Sequence, residues 1–102
     1  MDWRAFDCGN TLGERGSENG VILLDEEHPV GARITLERSG NTAPFSITCG
    51  VYGALLHARF FRDEAEAQGD FTAMKARLAD MANISDEVGF NAAAKAFLEQ
   101  FP

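Results

Sequence analysis

The stretch from Pro44 to Asn83 constrains this chain most. It reads as strand, tight turn, strand and helix: Pro44 to Gly50, the turn Val51-Tyr52-Gly53, Ala54 to Arg62, then Asp63 to Asn83. Phe45, Ile47 and Cys49 alternate with Ser46 and Thr48, the period of a strand with one face in a core. Asp63 is placed to cap the helix, and Glu66 three positions on completes a capping box. Both residues, with Glu64, also set negative charge at the positive end of the helix dipole. Ala67, Phe71, Met74, Leu78 and Met81 recur at steps of three and four, an apolar stripe that must lie on a sheet. Gly69 marks where the helix would bend, or restart with Asp70 as a second cap.

Upstream, Val21-Ile22-Leu23-Leu24 is a short apolar run ended by Asp25-Glu26-Glu27, too short for a helix and suited to a buried strand. His28-Pro29-Val30-Gly31 fits a type I turn, with proline presetting φ at its second position. Ala32, Ile34 and Leu36 then alternate with Arg33, Thr35 and Glu37, and Ser39-Gly40-Asn41-Thr42 makes the next turn. Residues 9–20 hold four of the ten glycines and read as a surface loop. Their glycine spacing matches neither phosphate-loop nor dinucleotide patterns, and no lysine precedes Lys75. At the N-terminus, Trp3 and Phe6 are expected to dock on the body, where they could close the open side of a sheet. Downstream, Ser85-Asp86-Glu87 caps a second helix, with Asn91 as an alternative start. Its stripe is Phe90, Ala93, Ala94, Phe97, Leu98 and Phe101.

Strands joined by short turns and followed by helices predict an α+β fold. The expectation is a four-stranded antiparallel meander, five-stranded if the N-terminal segment adds an edge, with two C-terminal helices packed on one face. All 102 residues form one domain: an arm and Gly-rich loop over 1–20, the meander over 21–62, the helices over 63–101. Alternation assigns Ala32, Ile34, Leu36, Phe45, Ile47, Leu56 and Phe60 to the covered face. The other face then carries Arg33, Thr35, Glu37, Ser46, Thr48, His57 and Arg59, with Leu55 and Phe61 at its margins. A polar centre with apolar margins suits either solvent or a partner, most simply a second copy about a two-fold axis. The candidate interaction face is therefore Arg33, Thr35, Ser46, Thr48, Leu55, His57, Arg59 and Phe61.

Charge narrows the partners. Nine basic residues against sixteen acidic ones give a net charge of −7, which argues against nucleic acid and anionic membranes. No apolar run approaches the roughly 20 residues of a membrane span, and the first residues lack a signal-peptide pattern. Cys8 and Cys49, without CxxC spacing, read as free thiols in a reducing cytoplasm, with a disulfide joining the N-terminal segment to the central strand as the minority reading.

Chemistry is thinly signalled. His28 lies in a turn and is expected to be exposed; His57 lies on the mixed face beside Arg59. Parity places Cys49 and His57 on opposite faces, so no Cys–His dyad is expected. Asp25-Glu26-Glu27-His28 has metal-ligand residue types, but alternation lets at most two converge. No catalytic, cofactor or metal site is assigned, and no cofactor is expected. The leading expectation is a non-catalytic interaction module that self-associates or binds a protein through its open sheet face. One alternative is a small-molecule binder or enzyme with a site near His57, Arg59, Tyr52 and Trp3. The other is an acidic, immunity-type inhibitor of a basic protein, whose approach the charge would speed.

Overall fold

The computed structural model of the chain describes residues 2–102. Five strands form one antiparallel sheet in sequence order: β1 (Arg4–Ala5), β2 (Val21–His28), β3 (Ala32–Arg38), β4 (Phe45–Val51) and β5 (Leu55–Phe61). Two helices follow, α1 (Glu64–Ala82) and α2 (Glu87–Gln100). This is the expected α+β meander, with the N-terminal segment supplying a two-residue fifth strand before a short 3-10 turn over Phe6–Gly9.

The helix that the capping pattern predicted begins as expected: the Asp63 carboxylate accepts from the Glu66 N–H at 3.2 Å. α1 runs unbroken through Gly69, because its stripe is held along the sheet on both sides of that residue. Asp86 caps α2, accepting from the Gly89 N–H at 2.7 Å. Ala67, Phe71, Met74, Leu78 and Met81 are buried against Ala32, Ile34, Leu36, Ile47, Cys49 and Val51 from the central strands. Phe97 and Phe101 extend this core from α2, while Leu98 points outward, 38% exposed.

Two departures from the sequence reading concern phase. β2 does not stop at the acidic run but continues to His28, with a register shift between Ile22 and Leu24. A bulge there re-aims the strand, so Leu24 shares the covered side with Leu36. The second departure is in β5. Leu56 and Phe60, expected in the core, are 81% and 44% exposed, whereas Phe61 is buried. Cross-strand partners share a face, and the register pairs Val51 with Leu55, Cys49 with His57, Ile47 with Arg59 and Phe45 with Phe61. The tight turn sets this register. Ala54 N–H donates to the Val51 carbonyl, and Gly53 sits at φ +75°, a conformation glycine adopts without strain.

Candidate functional site

The open face divides the expected interaction residues into two groups. Arg33, Thr35, Ser46 and Thr48 lie on it, as cross-strand partners of Glu27, Asp25, Glu37 and Ala58. Leu55, His57, Arg59 and Phe61 do not: they turn to the helices, as the β5 register requires. His57 Nε2 donates to the Phe101 carbonyl at 2.5 Å, and its ring meets Phe97 edge-on. Arg59 pairs with Asp70 of α1 at 2.7 Å. The site imagined around His57, Arg59, Tyr52 and Trp3 does not assemble. Trp3 packs edge-on against His28 near the opposite sheet edge, 5.4 Å between ring centroids.

The open face is built in two parts. Over β2 and β3, the 9–20 loop folds down and satisfies the polar side chains beneath it. Its backbone first pairs with β2: Gly13 N–H donates to the Ile22 carbonyl, and Ile22 N–H donates to Glu14. Below, the wholly buried Asp25 carboxylate accepts four hydrogen bonds. Arg33 supplies two, from Nε at 3.0 Å and Nη2 at 2.7 Å; Thr35 donates at 3.1 Å and Thr11 of the loop at 2.8 Å. The hydrogen bonds to Asp25 hold the Arg33 guanidinium still more firmly protonated than usual. Phe6 covers the same guanidinium from outside, its ring centre 3.5 Å away. Glu37 is buried completely and accepts from the backbone N–H groups of Gly20 at 3.0 Å and Glu18 at 3.2 Å. Ser17 reaches across to Thr48 at 3.3 Å.

Ser17 at Thr48 marks the limit of the loop: among the described residues, none of its hydrogen bonds reaches β5. A cleft of about 600 Å³ lies between the loop and the Tyr52 turn, with Arg33, Thr35, Thr48, Tyr52 and Leu56 among its lining. From Leu56 in its wall the margin runs on to Phe60, the two standing two positions either side of Ala58, and Tyr52 at the strand end is 62% exposed. This margin is apolar and uncovered.

The arrangement offers little for catalysis. Cys49 and His57 are direct cross-strand partners on the covered face, which corrects the expectation that they lie on opposite faces. They still do not form a nucleophile and base. Burial pushes the Cys49 thiol up to about 12, far from thiolate at neutral pH, and the His57 proton is committed to a main-chain carbonyl. His28, expected to be exposed, is buried beneath Trp3 because β2 continues through it. The acidic run of β2 alternates in direction as expected: Asp25 binds Arg33, Glu26 binds Lys75 of α1 at 2.6 Å, and Glu27 binds Arg4 at 2.8 Å. Among the described residues no cluster of three or more metal-ligating side chains occurs. Among them, too, no helix is long and apolar enough to cross a membrane.

The loop contacts and the exposure of Leu56 and Phe60 were missed from sequence. The one available signal was Gly53, whose place in the turn fixes the pairing of Val51 with Leu55. Against known proteins, no family model, curated protein or solved structure matches this chain.

Proposed function

We propose that this protein is a non-catalytic interaction module that binds a protein partner through the β4–β5 end of its open sheet face. One observation carries the reading: Leu56, the most exposed residue of β5, stands in line with Phe60 on a rigid strand beside Tyr52. Aromatic and aliphatic side chains fixed on a sheet need no ordering before contact, and such residues dominate the energy of protein interfaces. The polar groups at the other end are committed to one another, which leaves them structural. A reducing, cytoplasmic setting belongs to this reading, since Cys8 and Cys49 are both free.

The test compares two immobilised baits in extract of the source cell: the natural chain and Leu56→Asp/Phe60→Asp, with circular dichroism confirming equal folding. The reading expects at least one protein, this chain included, retained by the natural bait and reduced tenfold or more by the double variant. Identical retained sets would contradict it.

A further inference from the structure

The two edges of the sheet are guarded very differently. β1 is two residues long, carries the Arg4–Glu27 ion pair and leaves the sheet at once through a short turn. A short, charged edge of this kind resists pairing with another strand. β5 is seven residues long, about 23 Å at the rise of an extended strand. It pairs with β4 through seven consecutive positions without a register shift, so no bulge twists it away. It holds no proline, glycine or lysine. Among the described residues, no main-chain hydrogen bond outside the ladder engages residues 55–61. Alternate N–H and C=O groups along its outer side therefore face outward, a template for one more strand.

The sequence of β5 selects that strand. Leu55-Leu56-His57-Ala58-Arg59-Phe60-Phe61 is close to symmetric about Ala58 in size and polarity. Placed antiparallel beside itself with Ala58 opposite Ala58, it sets Leu56 against Phe60 on the open face, twice. On the covered face Leu55 lies opposite Phe61, already buried within its own chain, and His57 opposite Arg59, while the smallest side chain falls on the axis. Directly opposed aromatic and aliphatic side chains are favourable cross-strand pairs. An isologous two-fold contact requires this kind of self-complementarity.

We propose that the partner is a second copy of this chain, joined edge to edge by antiparallel β5–β5 pairing centred on Ala58, so that two five-stranded sheets become one of ten. The proposal rests on the reading of the β4–β5 margin as an interaction surface and names its occupant. Each copy carries −7, so screening the repulsion with salt strengthens the pairing.

Native mass spectrometry over a concentration series, with thiol crosslinking, tests it. One cysteine at a time is added to a Cys8→Ser chain, where only the buried Cys49 remains: Ala58→Cys at the axis, and Thr72→Cys on the exposed side of α1 as a control. The expected result is a dimer that a short bis-maleimide links through position 58 and not through position 72. Leu56→Asp/Phe60→Asp, which places four carboxylates in the contact, lowers the association constant at least ~100-fold. A monomer at every concentration overturns the proposal, as does a dimer that links at 72 or fails to link at 58. In either case the interaction reading is judged separately, by whether the two baits retain different proteins.

Discussion

The two ends of the open sheet face are made of similar backbone and behave oppositely. Over β2 and β3, buried charge dominates: Asp25 and Glu37 are fully enclosed, and loop atoms complete their hydrogen bonding. Along β5, Leu56 and Phe60 stand in water, with no hydrogen-bonded loop above them among the described residues. Polar groups at the first end are closed by the chain's own loop because a buried carboxylate without partners is costly. Leucine and phenylalanine at the second end carry no such penalty one by one, but their contact area is recovered only when another surface arrives. Polarity on a sheet face is thus a poor guide to where a partner binds: the charged end is the sealed one.

The largest expected effect breaks the sealed end. Asp25→Ala leaves Arg33, Thr35 and Thr11 without their acceptor and should cost about 3–5 kcal/mol. Thermal unfolding would then fall by more than ~10 °C. A shift of a degree or two would mean that the loop is not held by this carboxylate.

Alkaline titration asks whether the layer beneath both ends is dry. The Cys49 thiol titrates near 9.0 when exposed and is pushed up to about 12 by burial. Between those values the unfolded chain loses the proton that the folded chain keeps. The stability contribution is therefore complete below about 9 and is lost as pH rises toward 12, at up to about 1.4 kcal/mol per pH unit. Chemical denaturation of the natural chain and Cys49→Ala across this range should show a steeper alkaline decline in the natural chain. Parallel declines would show that the thiol is hydrated.

A smaller effect is expected at Gly16, where the loop crosses Glu37. A Cβ there would stand 2.3 Å from the carboxylate carbon and 2.4 Å from one oxygen. That carboxylate is enclosed and hydrogen-bonded, so it has little room to yield. Gly16→Ala should cost about 1–3 kcal/mol in denaturant unfolding. A neutral result would place the loop farther from the sheet.

At the bare end, by contrast, Leu56→Asp/Phe60→Asp should change unfolding stability of the isolated monomer least, within about 0.5 kcal/mol for each exposed site. A loss of several kcal/mol would show these side chains packed in the monomer and would erase the difference between the two ends.

Much of the architecture was legible in the sequence. Alternation located β3 and β4, and the capping box with its stripe located α1, because local chemistry and tertiary burial agree there. The face of β5 was not legible by composition. Either parity offers two large apolar residues, Leu55 and Phe61 or Leu56 and Phe60, so amphipathicity alone cannot choose. The register passed through the Gly53 turn decides, and it turns the even-numbered pair outward. His57 and Arg59 tolerate the covered side because a carbonyl and Asp70 meet them there. The sealing of the other end rests on contacts between residues far apart in sequence, such as Thr11 with Asp25 and Ser17 with Thr48. No local pattern encodes those pairs.

Amide hydrogen exchange in dilute and concentrated protein tests the central claim most directly, because it reads both ends of the face at once. The account predicts that peptides covering 54–62 gain protection as concentration rises, while those covering 9–37 stay constant. Exchange at 54–62 that is independent of concentration, or protection that appears at 9–37 instead, would contradict it.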